Sequence, residues 1–189
     1  MDRRSNNIAI FQDSMDLIKA NQKLQQAVQF SIQNQKLYVP SQAIALPEPG
    51  KSSCKTIVSS KRSFEAASAY AKAGKRVCVL NFASATNPGG GVTRGSTAQE
   101  ECLCRCSTLY PCLDTKTMWH QFYQPHRKAG DPRYNDDLLY TPEVVVFKTD
   151  TSAPERMEEK DWYQVDIITC AAPNLRKKPS NAMNPSAGN

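Results

Sequence analysis

Along the first 35 residues, Ile8, Phe11, Met15, Ile18, Leu24 and Val28 stand among Asn, Gln and Lys at a spacing close to one helical face, which predicts one long helix or two short ones. Pro40, Pro47, Pro49 and Gly50 mark the stretch from Pro40 to Ser53 as a connecting loop. Thr56-Ile57-Val58 has the composition of a short strand. From Ser63 as cap, Phe64, Ala67, Tyr70 and Ala71 form the inward face of a helix through Ala73, with Gly74 as its stop signal. Arg76 to Phe82 is β-prone and mostly apolar without clean alternation, the pattern of a central strand covered on both faces. A segment rich in Asn, Pro and Gly, Ala83 to Gly95, leaves that strand, and a helix is expected from near Thr97 toward Tyr110. Val144 to Lys148 and Val165 to Cys170 read as two more strands, separated by the charged segment Thr149 to Lys160. This alternation predicts an α/β layer fold with helices on both faces of a mixed sheet. The polar tail NLRKKPSNAMNPSAGN has no periodicity and is expected to be loop or disorder.

At 189 residues the chain has one domain's worth of sequence, and 40% hydrophobic residues with 22% charged suffice for a core in a soluble protein. The charge of +6 comes from 24 Lys and Arg against 18 Asp and Glu, scattered with only short pairs such as Lys75-Arg76 and Lys177-Lys178. No basic stripe of the kind a duplex binder carries is present, so direct duplex nucleic acid is not an expected partner. No run approaches the roughly 20 apolar residues of a bilayer span, and MDRRSNNIAIFQDS lacks the apolar run of a secretory signal. An intracellular setting without a membrane partner is expected. Seven cysteines, an odd number, argue against a disulfide framework in such a chain. Cys102, Cys104, Cys106 and Cys112 with His120 and His126 invite a zinc reading, but the gaps of one, one, five, seven and five residues match no paired-ligand pattern. No metal is expected.

The chemistry concentrates in Asn81 to Glu101, NFASATNPGGGVTRGSTAQEE. Gly89, Gly90 and Gly91 leave a backbone that a ligand can approach closely and that adopts positive φ at little cost. Leading into a helix N-terminus, such a loop offers free N–H groups and a dipole to an anion such as a nucleotide diphosphate; a surface turn is the plain alternative. Glu100 and Glu101 then fall in the first helical turn, beside Gln99. They either serve the helix dipole or do acid–base work on a glycosidic bond, where one carboxyl delivers a proton to the leaving oxygen and then prepares water. Burial and like charge push a carboxyl's pKa up while a helix N-terminus pushes it down, and the residues alone do not rank these effects. A triphosphate-binding P-loop fails because Ser96-Thr97 stands where Lys followed by Ser or Thr is required after Gly90 to Gly95. No Gly-x-Gly-x-x-Gly frame exists for a dinucleotide site.

Gly-Gly-Gly, seven residues, then Gln-Glu-Glu, directly after Leu80-Asn81-Phe82-Ala83, resembles the signature of poly(ADP-ribose) glycohydrolases of the compact microbial type. Ser107 to Leu113, Leu139-Tyr140-Thr141-Pro142 with Val144 to Phe147, and Ile168 to Asn174 resemble further stretches of that family in the same order. The resemblance implies a macrodomain-like three-layer α/β/α sandwich over residues 1–175, with 176–189 as a polar tail. It implies Glu101 as the acid/base, Glu100 as a holder of the ribose, Gly89, Gly90, Gly91 and Val92 near the diphosphate and scissile ribose, and Asn81 or Asn87 on ribose hydroxyls. Gln99 would fix the substrate or the loop. Poly(ADP-ribose) or ADP-ribose, carried on ADP-ribosylated proteins, is the implied partner, with no cofactor. After Ala-Ala-Pro-Asn the family continues with a helix, a strand and a second glycine-rich loop whose aromatic residue closes over the ligand, and nothing after Asn174 resembles them. The domain is therefore expected to be incomplete, with a lost strand, an unpaired edge and exposed apolar surface. A non-catalytic ADP-ribose-binding module and an inactive fragment are the alternatives to a hydrolase.

Overall fold

The computed structural model describes residues 2–42, 54–171 and 173 of the chain. The N-terminal apolar pattern becomes two helices, α1 (Arg3–Ala20) and α2 (Gln22–Asn34). They part at Asn21, whose extended backbone ends α1 and whose side-chain oxygen caps α2 by accepting the N–H groups of Lys23 at 2.9 Å and Leu24 at 3.1 Å. Phe11, Ile18 and Leu24 are buried, whereas Ile8 faces solvent. A short strand, β1 (Lys36–Tyr38), follows without a sequence signal of its own. Of the predicted loop, residues 40–42 form a turn; residues 43–53 and the expected disordered tail lie outside the described residues.

Three local expectations are corrected. Thr56-Ile57-Val58 is not a strand: no ladder partner lies beside it, and Val58 is 93% exposed. Strand-prone side chains need a neighbouring strand or surface to pack on. The helix α3 (Ser63–Lys72) buries Phe64 and Ala67, but Tyr70 faces outward. Its cap is not Ser63, which is the first helical residue. The distant Asp150 carboxyl accepts the Phe64 N–H at 3.0 Å instead. The third correction concerns the helix expected to reach Tyr110. It stops as α4 (Gln99–Cys106) and resumes as α5 (Leu109–Leu113), because Cys106 O accepts from the N–H groups of Phe147 and Lys148, and Thr108 N–H donates to Val145 O. The sheet thus takes hydrogen-bonding groups that a continuous helix would use. Beyond α5, α6 (Lys116–Met118), a π turn (Trp119–Tyr123) and α7 (Gln124–Ala129) run on without a break.

The sheet has the order β1-β3-β4-β2, with β2 (Cys78–Ala83), β3 (Leu138–Val146) and β4 (Tyr163–Ala171). It is mixed: β1 and β4 run antiparallel to β3, while β2 and β4 are parallel, so Ala83 and Ala171 end side by side. A bulge between Thr141 and Val144 accommodates Pro142, which has no N–H to give the ladder, and Glu143 N–H there turns to the Asp166 carboxylate at 3.1 Å. The expected central position of β2 is corrected, since among the described residues it is an edge strand paired only with β4. Its burial alternates strictly: Val79, Asn81 and Ala83 point into the core, and Cys78, Leu80 and Phe82 point out. The main core joins Phe11, Phe64, Val79, Leu103, Leu109, Phe122, Leu139, Val165 and Ile167. A smaller cluster packs Ile18 and Leu24 against Val145, Phe147 and the half-buried Trp162.

Candidate active site

The parallel ends of β2 and β4, the loop after β2 and the first turn of α4 meet at one place. Glu100 and Glu101 both lie in that first turn and are only 3% and 6% exposed. Asn81 reaches Glu100 from β2: its Nδ2 donates to Glu100 Oε1 at 3.4 Å and to Thr169 Oγ1 of β4 at 3.2 Å. The other Glu100 oxygen accepts the Ser84 N–H at 2.8 Å. Burial, reinforced by the neighbouring Glu101, outweighs these hydrogen bonds and pushes the Glu100 carboxyl up to about 8. The contest between burial and the hydrogen bonds thus goes to burial at this residue.

Glu101 is held differently. Its Oε1 accepts the Gly91 N–H at 2.8 Å, while its Oε2, buried, has no hydrogen-bond partner among the described residues. One oxygen of this carboxyl is therefore tethered and the other is free, a state that a buried polar atom rarely keeps without a reason.

The glycine loop is shaped around these carboxyls. Gly89 and Gly90 have φ of 61° and 59°, in the left-handed region that favours glycine. A Cβ on Gly90 would stand 2.6 Å from Glu101 Oε1 and 3.0 Å from Glu100 Oε2, so only a bare backbone fits between the two carboxyls. On Gly89 a Cβ would meet the Tyr110 ring at 2.8 Å. The Gly90 N–H donates to Asn87 O at 3.0 Å and that of Gly91 to Glu101, so these two N–H groups are used within the site and do not form the outward cradle read from the sequence.

The remaining predicted residues divide. Val92 is fully buried in the main core and opens a 3-10 turn, Val92–Arg94. Gln99 bridges elements: its Oε1 accepts the Phe82 N–H at 2.9 Å, and its Nε2 donates to Leu80 O at 2.6 Å and Ser63 Oγ at 3.1 Å. This side chain pairs with the outer edge of β2 as a strand would and ties α3 to α4. Asn87 accepts from Arg127 Nη2 at 2.6 Å and donates from Nδ2 to Thr86 Oγ1 at 3.1 Å. Sequence reasoning missed Ser84, whose Oγ accepts the N–H groups of Thr86 at 3.3 Å and Asn87 at 3.1 Å. Its signal was the Ser-Ala-Thr-Asn-Pro run, in which a hydroxyl folds a turn onto its own backbone. Arg127 has no such local signal, being 40 residues from Asn87 in the chain.

A carboxyl tethered by one oxygen, a second carboxyl that burial keeps protonated, and backbone N–H groups around them are a set able to take part in proton transfer. The profile of a family described as microbial-type PARG, catalytic domain, matches residues 8–149. The poly(ADP-ribose) glycohydrolase of Thermomonospora curvata is similar over 90% of this chain and 65% of its own, at 30% identity and a TM-score of 0.76. The same enzyme bound to the inhibitor ADP-HPD gives 30% identity and a TM-score of 0.68. The Deinococcus radiodurans enzyme in complex with ADP-ribose is similar over 78% of this chain and 58% of its own, at 32% identity and a TM-score of 0.67. The chain thus spans less than two thirds of the length of these structures. No curated protein matches it.

Proposed function

The chain belongs to the microbial-type poly(ADP-ribose) glycohydrolase family, and from that premise we propose that it hydrolyses the ribose–ribose O-glycosidic bonds of poly(ADP-ribose) with Glu101 as acid/base. The carrying observation is the state of Glu101: one oxygen fixed by Gly91 N–H, the other buried and unpartnered beneath the glycine bend. In this reading Oε2 gives its proton to the leaving ribose oxygen as the C1–O bond breaks. The same atom then takes a proton from water as the water oxygen bonds to C1, and Glu101 returns to its starting state. Glu100, protonated at neutral pH by its burial, holds a ribose hydroxyl and adds no negative charge beside the one that Glu101 acquires once it has given up its proton. Gly90 lets the sugar approach both carboxyls, because no Cβ stands between them. The substrate is the polymer on ADP-ribosylated proteins, and free ADP-ribose is the product.

Labelled polymer incubated with the purified chain tests this, with released ADP-ribose measured chromatographically. Glu101→Gln is expected to lower turnover by about 100-fold or more while ADP-ribose still binds, since a positioned acid/base contributes roughly that factor. Binding of ADP-ribose by the unaltered chain without any release from polymer would replace the hydrolase by a binding module. Full activity in Glu101→Gln would remove the assigned role.

A further inference from the structure

The loop that carries the glycines is fastened from outside by a closed circuit of side chains. Arg127 Nε donates to Thr86 O at 2.7 Å and its Nη2 to Asn87 Oδ1 at 2.6 Å, a two-pronged grip on consecutive loop residues. The guanidinium lies over the Trp119 ring, 4.7 Å from its centroid. Trp119 Nε1 donates to Asp114 Oδ1 at 2.7 Å, and the other oxygen of Asp114 accepts the Tyr110 hydroxyl at 3.0 Å. The Tyr110 ring then closes on Gly89, where it would contact any Cβ. Residues 86–89 are therefore held at one end by Arg127 and at the other by Tyr110, and Asp114 joins the two holds.

The π turn gives this circuit its geometry. Residues eight apart on a regular helix point about 80° apart around the axis, whereas one extra residue in a turn takes back about 100° and leaves them within about 20°. Trp119 and Arg127 are eight apart and span that π turn, so the wider turn is what stacks one on the other. The grip also fixes the orientation of the Asn87 amide. With Oδ1 accepting from Arg127 and one Nδ2 hydrogen given to Thr86 Oγ1, the second Nδ2 hydrogen is what the amide can offer a ligand hydroxyl, and its position is set by α7.

We propose that Arg127, braced by Trp119 and Asp114, is a positioning residue that sets the glycine loop over the Glu100–Glu101 pair by holding Thr86 and Asn87. This rests on the hydrolase reading for its catalytic consequence but not for its structural one. Amide exchange of residues 84–91 in the full chain tests the structural part without substrate. In Arg127→Met those amides are expected to exchange about ten-fold faster, while those of β3 and β4 keep their rates. Arg127→Lys is expected to resemble Arg127→Met, because an ammonium has neither the two-pronged geometry nor the flat face that stacks on Trp119. With polymer, both variants are expected to lose up to about 100-fold in kcat through loop misplacement, with thermal stability near that of the unaltered chain. If Arg127→Met fails to fold, Arg127→Lys and Trp119→Phe, which keeps the ring but not the bond to Asp114, decide the matter. Unchanged loop exchange in a folded Arg127→Met, or Arg127→Lys with fully native exchange and kcat, would overturn the proposal. If the unaltered chain releases no ADP-ribose, the hydrolase reading falls, and the exchange rates still decide whether Arg127 holds the loop.

Discussion

Adjacent residues of β2 meet opposite fates. Asn81 is fully buried, whereas Leu80 and Phe82 beside it are 44% and 60% exposed. A polar side chain in the interior and two large apolar ones in water invert the usual partition. The inward face carries polar groups joined by a shared donor: Asn81 Nδ2 serves both Glu100 and Thr169, although Asn81 Oδ1, equally buried, has no hydrogen-bond partner among the described residues. On the outward face Cys78, Leu80 and Phe82 of β2 stand beside the half-buried Ile168 and Cys170 of β4, and no helix or strand among the described residues covers the Phe82 ring. The inner face of the sheet is packed into the core and the candidate site, and the outer face of β2 is left uncovered within the described residues. Substitutions on the two faces should therefore differ in kind.

The largest effect is expected at the contact between loop and carboxyls. Gly90→Ala places a methyl 2.6 Å from Glu101 Oε1 and forces a non-glycine residue to φ of 59°. The left-handed backbone alone costs about 1–2 kcal/mol. Displacing the carboxyl adds to that, and misplacement of the acid is expected to lower kcat about 100-fold. Thermal melts and polymer turnover check both parts; near-native turnover would show that the loop does not set the carboxyl.

Next in size is the burial of Glu100. In an unfolded chain its carboxyl ionises at its ordinary 4.5, but in the fold it keeps its proton to about 8. Between those values the native state binds more protons than the unfolded one. This residue's burial therefore costs nothing below about 4.5, costs about 1.4 kcal/mol more for each pH unit of rise, and levels off above about 8. Glu100→Gln, which resembles the protonated acid in shape, should remove this slope. Urea unfolding at a series of pH values is expected to show the variant gaining on the unaltered chain as the pH rises, and parallel curves would mean that Glu100 is ionised in the fold.

Much of this inner face was legible in the sequence, and the reasons are local. The glycine triplet, the glutamate pair and the end of the strand before them stand between Asn81 and Glu101, so one turn geometry joins them. The paired ends of β2 and β4 were legible as apolar runs. What stayed hidden depends on partners remote in the chain. Ser63 looks like a cap, yet Asp150 does the capping, from 86 residues away. Val79 to Phe82 reads as buried on both sides because its composition is apolar, and composition does not say whether a second layer lies over the outward residues. Spacing and composition alone did not tell Glu100 from Glu101, and only the family resemblance set them apart. Their different settings come from which N–H each accepts and from the burial that raises one of them, and neither quantity has a linear signature.

The smallest effects sharpen the contrast between the faces. Asn81→Leu keeps the branched shape of the buried side chain but removes the donor shared by Glu100 and Thr169, leaving both without it in the core. A loss of about 1–3 kcal/mol is expected, the cost of unmade buried hydrogen bonds. It should also weaken ADP-ribose binding, because Glu100 then keeps the Ser84 N–H but not the Asn81 donor. Phe82→Thr, one residue along, keeps strand propensity and removes an exposed ring; its stability is expected to stay within about 0.5 kcal/mol of the unaltered chain, with ADP-ribose binding intact. A Phe82→Thr loss as large as that of Asn81→Leu would show the outer face to be packed in solution, and the distinction between a working face and an idle one would then have no physical basis.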